Sequence, residues 1–327
     1  MANAAQERSG PAERQIEPLT GPHSPGPAAP SQTPPRRVVA ILAAYNRREM
    51  TLECLRSYFT QEAPGIELRA VVVDDGSSDG TGNAVTTAFP AAEVISASGD
   101  LFWARGMATA EASAMRSDPD YLLWLNDDVW LYPDALRRLL RVAEAFPRRP
   151  VLLAGSVCDP DTGVTTYGGH RRRDSHPLRY ALVTPPHAPT TVDTVNGNVL
   201  LVPRETYRLV GHIDGGFAHS YADLDYGLRL RQAGGENVLI PGHVGTCTAN
   251  NAASVNLDPS LPLSVRWRYF RSPKGTPLRS QVRYLRRHGG PCWPIFLLPP
   301  YVRLLAGRWY PGVNRPAPSG GTARSSA

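Results

Sequence analysis

The sequence predicts an α/β protein built on a mostly parallel sheet that is flanked by helices. Two observations predict this fold class. Short apolar runs of strand length alternate with segments of helical periodicity, which is the order of βαβ units. Each of the first apolar runs also ends in a polar loop, and α/β sheets bind their ligands at the carboxyl ends of their strands.

The first half of the chain supplies most of the predicted sheet. Residues 1–37 contain eight prolines and few large apolar residues, a composition typical of disordered segments. From Val38 onward, a strand, a helix and a second strand that ends in a polar loop predict a right-handed parallel βαβ unit. The predicted strands span 38–44, 68–73, 93–97 and 151–157, with another beginning at Leu122, and the predicted helices span 48–61, 107–115 and 134–146.

The second half of the chain has weaker periodicity. Residues 159–189 are rich in Gly, Pro, His and Arg and predict loops and a short hairpin. Strand character over 191–202 is interrupted by Asn196, Gly197 and Asn198. The remaining predicted elements are a helix that stops at Gly234, a strand at 238–240 and a basic amphipathic helix at 265–288.

Charge divides the chain into unequal parts. The net charge is +6, but residues 259–327 carry twelve Lys or Arg and no acid, whereas the preceding residues carry 23 basic and 29 acidic side chains. We predict a disordered segment at 1–37, an α/β domain at 38–258 and a basic, partly amphipathic extension at 259–327. Because the positive charge is confined to the extension and no aromatic-rich binding sheet is visible, we expect no nucleic acid partner.

Cysteine usage and hydropathy favour a cytoplasmic location. The four cysteines form no Cys-x-x-Cys pair, which argues against a disulfide scaffold and a structural zinc site. No apolar signal core is visible, and no stretch reaches the ~20 apolar residues that a spanning helix needs. Within the basic extension, the apolar run Trp293–Tyr301 predicts either peripheral contact with the anionic inner face of the cell membrane or packing of the extension on the domain.

The strand that begins at Leu122 leads into two adjacent carboxylates, Asp127 and Asp128. Neighbouring carboxylates repel each other unless a cation lies between them. Oxygen ligands with an incomplete shell suit Mg²⁺ or Mn²⁺ that is shared with substrate phosphates. The alternative is a solvated turn before the next helix, although Pro133 and Asp134 already supply the start of that helix.

The loop after the second strand carries another acidic pair, Asp74 and Asp75, followed by Gly-Ser-Ser-Asp-Gly-Thr. It has the glycines of a phosphate-binding loop but lacks the Lys-Ser/Thr of a Walker loop. Two acids repel phosphate, so one interpretation is that they accept hydrogen bonds from a base imide or a ribose hydroxyl. The other is a turn with helix capping by Ser77, Ser78 or Asp79, and spacing alone does not separate the two.

Four motifs in succession resemble those of inverting glycosyltransferases of family 2. They are AAYNR at 43–47, DDGSSDGT at 74–81, NDD at 126–128 and DLDYGLR at 223–229. The set covers about residues 38–245 in the order and approximate spacing of the family, and the NDDV and GDLFW phrases are similar to its rhamnosyltransferase-like branch. The resemblance implies the Rossmann-like GT-A fold and a nucleoside-diphosphate sugar donor of the UDP or dTDP type.

The resemblance also implies residue roles. Asp223 matches the general base, and Asp225 completes the catalytic motif, with helix capping as the alternative for both acids. Asp128, with Asp127 or Asn126 beside it, matches the residue that binds Mg²⁺ or Mn²⁺. The implied donor-binding residues are Ala43, Tyr45, Asp75, Trp103, Arg105, Gly106 and Asp127.

Two positions depart from the family pattern. Ala222 stands where relatives often carry a glutamate, which removes a second acceptor-binding carboxylate. Cys247 stands where relatives often carry a metal-binding histidine, and cysteine is a poor ligand for Mg²⁺. His243 is therefore the candidate for a further metal ligand, with an ordinary loop histidine as the alternative.

The predicted function is inverting transfer of a sugar, with rhamnose as the candidate, from a nucleotide donor to a hydroxyl of a glycan or lipid-linked acceptor. A sugar nucleotidyltransferase is the rival enzyme class, but its Gly-rich basic loop is replaced here by Ala43-Ala44-Tyr45-Asn46-Arg47. A basic nucleic-acid-binding protein is the non-enzymatic rival.

Overall fold

The structure, a computed structural model, describes residues 35–146, 149–249, 255, 258 and 260–306. The prediction of disorder for 1–37 therefore falls mostly outside the described residues, and so does everything after Ala306. Arg36 and Arg37 already belong to the first strand, two residues ahead of the predicted start. The predicted α/β class is confirmed.

One large sheet organises the fold. Its strands are β1 (Arg36–Ala44), β2 (Ile66–Asp74), β3 (Ala92–Ser96), β4 (Tyr121–Leu125), β5 (Trp130–Leu131), β6 (Val151–Cys158), β7 (Thr165–Tyr167), β10 (Thr190–Val192), β12 (Val199–Pro203) and β13 (Glu236–Thr246). The order is β10-β13-β6-β12-β4-β1-β2-β3, with β5 beside β13 and β7 beside β6. A small second sheet contains β8 (Gly169–Arg172), β9 (Tyr180–Leu182) and β11 (Thr194–Val195).

Strand β12 runs antiparallel to both of its neighbours. β4, β1, β2 and β3 are parallel to one another, as predicted, and β13 is parallel to β6. Antiparallel neighbours need no helical crossover, and the described chain between β6 and β12 contains short strands and no helix. The antiparallel strand follows from this connection, which sequence periodicity did not reveal.

Helices cover both faces of the sheet. They are α1 (Arg48–Phe59), α2 (Thr81–Ala88), α3 (Phe102–Ala114), α4 (Ala135–Glu144), α5 (Arg204–Val210), α6 (Ala222–Gln232), α7 (Leu263–Arg271), α8 (Leu278–His288) and α9 (Leu298–Ala306). Alternate residues of β1 face opposite sides: Val38, Ala40 and Leu42 join the core under α1 and α4, whereas Val39 and Ile41 join the core under α3, α6 and α8.

Helix α3 begins at Phe102, five residues before the predicted start at residue 107. The carboxylate of Asp75 accepts the N–H groups of Gly99, Leu101 and Phe102 at 3.0, 3.2 and 2.9 Å, and so satisfies donors at the helix start. Gly106 then lies inside the helix, where a Cβ would come within 2.7 Å of Ala43 Cβ. This glycine allows close packing of α3 on β1 instead of marking a loop.

The extension contains separate helices where the sequence predicts one helix at 265–288. The break follows α7 and includes Pro273, which has no N–H, and Gly275, where a Cβ would lie 2.3 Å from the Tyr269 carbonyl oxygen. Helix α8 packs on the domain through the fully buried Tyr284 and Leu285. Within the described part of the chain, no helix has the length and apolar character needed to span a bilayer.

Candidate active site

Asn46 holds together the loops that follow β1 and β2. Its N–H donates to Ser77 Oγ at 2.9 Å, and its Oδ1 accepts the N–H of Ser78 at 2.8 Å. Its φ of 51° is a left-handed conformation that asparagine tolerates better than most residues. The preceding Tyr45 is 54% exposed, so its ring is free to contact a ligand at this edge of the sheet.

The two acids that end β2 are engaged by the protein itself. Asp74 accepts the N–H groups of Ser77 and Gly82, both at 3.0 Å, and so caps α2. Asp75 is buried and accepts the three N–H groups that precede and begin α3. A carboxylate has about four lone-pair positions, so Asp75 retains room for about one more donor. Its observed contacts order the loop that leads to Trp103.

The carboxylates of Asp127 and Asp128 share the guanidinium of Arg47. Arg47 Nη1 donates to Asp127 Oδ1 at 3.1 Å and to Asp128 Oδ2 at 2.8 Å. Burial raises the pKa of Asp127 to about 7, with Arg47 opposing this shift and Asp128 adding to it. A protein cation therefore lies between the two acids, at the position for which the sequence predicts a metal.

Cys247 is the next neighbour of this pair. Its Sγ lies 3.5 Å from Asp128 Oδ1 and 3.8 Å from Asn198 Nδ2. Burial and the adjacent Asp128 raise the pKa of the Cys247 thiol well above its usual range. The side chain is therefore a protonated thiol that donates to the carboxylate, and a thiol is unsuited to Mg²⁺.

Asp223 lies at the start of α6 and is partly exposed. Its Oδ2 accepts the N–H of Gly197 at 3.1 Å, and its Oδ1 accepts the N–H of Leu224 at 2.8 Å. A Cβ at Gly197 would approach the Trp103 ring to 2.5 Å and Asp223 Cβ to 3.4 Å, so the glycine lies between these two side chains. Trp103 Nε1 donates to Asn126 Oδ1 at 2.7 Å. Trp103 therefore links the neighbourhood of Asp223 to Asn126, the residue before Asp127.

Asp225 has different surroundings from Asp223. Its side chain is completely buried and accepts from Arg229 Nε at 2.8 Å, Arg287 Nη1 at 2.5 Å and His288 Nε2 at 2.9 Å. Burial favours a raised pKa, but these donors outweigh it and lower the pKa of Asp225. Two guanidinium groups and an imidazole therefore occupy the predicted catalytic carboxylate of Asp225, which is closed to solvent. Its contacts join α6 to α8.

Two further predicted residues make contacts with other groups. His243 Nε2 lies 2.9 Å from Thr165 Oγ1, and its carbonyl accepts from Arg138, so the structure does not bring its ring to Asp128. Arg105 is exposed, and its nearest described acceptor is the carbonyl of Asp100 at 3.4 Å. Among the described residues, no group of three or more His, Cys, Asp and Glu side chains could hold a metal.

Comparison with known proteins identifies the chain. The family model described as "Glycosyl transferase family 2" matches residues 39–194. The protein is a glycosyltransferase, with similarity to family 2 over residues 39–194. The N-acetylglucosaminyl-diphospho-decaprenol L-rhamnosyltransferase of Mycobacterium tuberculosis is 26% identical over 220 residues, which cover 59% of this glycosyltransferase and 70% of the relative. The predicted resemblance to the rhamnosyltransferase-like branch is confirmed.

Two solved glycosyltransferase structures were compared with this chain. GalNAc-T7 with UDP, GalNAc and Mn²⁺ has a TM-score of 0.50 at 13% identity over 64% of this chain, which spans 42% of that protein. The mannosyltransferase PcManGT of Pyrobaculum calidifontis, in complex with GDP-Man and Mn²⁺, has a TM-score of 0.48 at 18% identity over 85% of this chain and 78% of its own. The likeness to GalNAc-T7 confirms the predicted GT-A fold.

Three residues that line the site of this glycosyltransferase were not predicted from the sequence. Arg47 is the last residue of the AAYNR motif, but its contact with Asp127 and Asp128 is formed only in the tertiary fold and cannot be predicted from the motif. His170 and Asn196 lie beside Asp223: His170 Nε2 is 2.6 Å from Asn196 Oδ1, and Asn196 directly precedes Gly197. The polar interruption at 196–198 within a strand-like stretch was the available signal.

Proposed function

We propose that this glycosyltransferase moves a sugar, with inversion, from a nucleoside-diphosphate donor to a hydroxyl of a glycan or lipid-linked acceptor, with Asp223 as the general base. The environment of Asp223 carries the proposal. The residue is partly exposed, and its carboxylate is fixed by two backbone N–H groups close to Trp103, whereas Asp225 is buried and paired.

The chemistry requires one base and no covalent nucleophile. The acceptor hydroxyl attacks the anomeric carbon on the face opposite the diphosphate, and its proton passes to Asp223 late in that displacement. Burial raises the pKa of Asp223, with the N–H groups of Leu224 and Gly197 opposing the shift, which makes the carboxylate a stronger proton acceptor. Its two backbone bonds leave lone pairs on both oxygens for the hydroxyl.

The donor lies, in this proposal, along the carboxyl edge of the sheet. The exposed ring of Tyr45 stacks on the nucleoside, and Trp103, oriented by Asn126, faces the donor sugar beside Asp223. Asp75 acts by ordering the Gly99–Phe102 loop that carries Trp103. Ala43 and Gly106 bring α3 close to β1, which places this loop.

The carboxylate pair fits a divalent ion of the Mg²⁺ or Mn²⁺ type. Asp128 and Asp127 supply hard oxygen ligands, and a site with few protein ligands suits an ion whose shell is completed by phosphates and water. When bound, such an ion neutralises charge on the departing diphosphate. The UDP and Mn²⁺ in the GalNAc-T7 structure agree with this assignment. Arg47 must move from at least one carboxylate to admit the ion.

Asp128→Ala tests the metal assignment. We expect the affinity for UDP or dTDP in the presence of Mn²⁺ to fall by at least about tenfold, because the ion loses a ligand, while affinity without metal changes little. Isothermal titration calorimetry with and without Mn²⁺ measures both values. Asp161→Ala, an exposed acid in the turn between β6 and β7, serves as the matched control. Equal affinity in wild type and Asp128→Ala would refute the metal role.

Arg47→Gln tests the competition between guanidinium and metal. We expect Mn²⁺ alone to bind about tenfold more tightly to this variant, because the two carboxylates lose the cation that now neutralises them. Electron paramagnetic resonance of free Mn²⁺ provides the measurement. The neighbouring Arg48→Gln is the control, because Arg48 contacts Glu49 and not the carboxylate pair. Unchanged Mn²⁺ affinity in Arg47→Gln would mean that the two cations do not compete.

The donor sugar and the acceptor are proposed from the relative. The name of the M. tuberculosis enzyme gives L-rhamnose and an N-acetylglucosaminyl-diphospho-decaprenol. We propose a donor of the UDP or dTDP type and a cytoplasmic reaction at the inner face of the cell membrane. A thermal-shift panel of nucleotide sugars with and without Mn²⁺ identifies the donor, and NMR of the product anomer tests inversion. Retention at the anomeric centre would overturn the single-displacement mechanism.

A further inference from the structure

Helix α9 and the turn before it present a row of aliphatic side chains to solvent. Ile295, Leu298, Val302 and Leu305 are 68, 65, 51 and 63% exposed. Within α9, the three- and four-residue spacing from Leu298 to Leu305 places the side chains on one side of the helix. We refer to these four residues as the apolar row.

The adjoining side of α9 packs on α7. The Tyr301 ring lies 5.0 Å from the Phe270 ring and 6.2 Å from the Trp267 ring. Leu304 is fully buried, and its carbonyl accepts from Arg266 Nη2 at 2.5 Å. The helix is therefore held in one orientation, with the apolar row directed outward.

The segment that carries the apolar row is positively charged. Residues 259–306 contain nine Lys or Arg and no acid. Two of these nine, Arg283 and Arg287, are used within the protein, where they pair with Asp214 and Asp225. Exposed basic side chains of the same segment are Arg268, Arg271, Lys274, Arg279 and Arg286.

We propose that the apolar row, together with these basic side chains, docks the glycosyltransferase on the surface of an anionic lipid bilayer. Helices that lie in a membrane interface combine an aliphatic side with flanking Lys and Arg. Each basic residue near the surface adds attraction to anionic headgroups, and the attraction weakens with salt. The uniform positive sign of the segment favours a lipid surface over a protein partner, whose charges are mixed.

Helix α8 and the turn that joins it to α7 also touch the segment that leads to Asp223. The N–H of Ala218 donates to Ser280 Oγ at 3.4 Å, and Ser220 Oγ lies 3.5 Å from the carbonyl of Gly275. A surface that holds α7 and α9 therefore holds this neighbourhood near the bilayer. The approach of a lipid-linked acceptor to the base rests on the proposed function. The docking proposal itself does not depend on that function.

Vesicle flotation of the full chain tests the proposal. We expect the wild type to float with vesicles of phosphatidylcholine and phosphatidylglycerol at low salt, and to be released at high salt or when phosphatidylglycerol is omitted. The variant Leu298→Ser/Val302→Ser/Leu305→Ser changes only exposed positions, and its partition coefficient should fall by at least about tenfold. Val164→Ser/Leu209→Ser removes exposed aliphatic side chains elsewhere and should float like the wild type.

A second variant tests the contribution of the basic side chains independently of the apolar row. Arg268→Gln/Arg271→Gln should lose the preference for phosphatidylglycerol without losing its thermal transition. Wild type that stays in the soluble fraction at low salt, or a triple variant that floats normally, would overturn the proposal. Self-association through the row would leave the wild type unfloated and dimeric in sedimentation. If the protein floats but binds no nucleotide sugar, the docking proposal stands and the proposed function is wrong.

Discussion

Replacing Asp223 by asparagine is expected to lower kcat by about 10²–10⁴-fold while donor affinity stays near the wild-type value. Asparagine keeps the shape and one acceptor oxygen for the N–H of Gly197 or Leu224, but it cannot take the proton of the acceptor hydroxyl. Steady-state transfer assays give kcat, and calorimetry gives the donor affinity. Near-normal turnover in the variant would exclude Asp223 as the base.

The pH profile separates a base from a positioning residue. Because burial raises the pKa of Asp223, the acidic limb of kcat/KM should lie above the ordinary aspartate value of about 3.9. This limb should be absent from the residual activity of Asp223→Asn. A residual activity with the wild-type pH profile would mean that another group accepts the proton.

Asp225→Asn is expected to lower the free energy of unfolding by about 3–5 kcal/mol, because the mostly buried guanidinium of Arg229 loses its counter-charge and Arg287 and His288 lose the carboxylate that they share. Denaturant unfolding at neutral pH measures the loss. Asp174→Asn is the matched control: Asp174 pairs with Arg179 at 3.2 Å on the surface, so the free energy of unfolding should change little. A fall in kcat with unchanged unfolding would instead support the catalytic role that the motif suggested.

The same network predicts an acid-sensitive fold. The pKa of Asp225 is lower in the folded protein than its ordinary value, so its contribution to stability is present above about pH 3.9 and is lost as the pH falls through the folded pKa. Unfolding curves between neutral pH and pH 3 should therefore converge for wild type and Asp225→Asn. If the difference in stability between wild type and Asp225→Asn stayed constant over this pH range, the Asp225 carboxylate would not be the source of the acid sensitivity.

The fold was predictable where local pattern decides the element. The parallel strands at 38–44, 68–73 and 93–97 follow from apolar runs and polar loops, and the structure places all three side by side. The antiparallel β12 was not predictable, because its direction depends on how the preceding chain returns to the sheet. Pro273 and Gly275 indicate the break between α7 and α8, but the helical periodicity on both sides of it led to the prediction of one continuous helix.

The candidate site was predictable as a set of positions, not as a set of contacts. The motifs predicted Tyr45, Asp128 and Asp223 as site residues, and each lies at or beside the sheet edge in the structure. Sequence could not separate Asp223 from Asp225, which stand two residues apart on one helix start. Their difference arises from α8, more than fifty residues later, whose Arg287 reaches only one of them.

The antiparallel β12 has a consequence for synthesis of the protein. Residues 199–203 lie between β4 and β6, which are made about 40–80 residues earlier. Until β12 leaves the ribosome, both older strands carry unpaired edges, and such edges invite pairing with other chains. A chain that ended at residue 194, where the family match ends, would retain this open gap in the middle of its sheet and would also lack Asp223. Fragments intended to isolate the donor-binding half should therefore extend beyond residue 203.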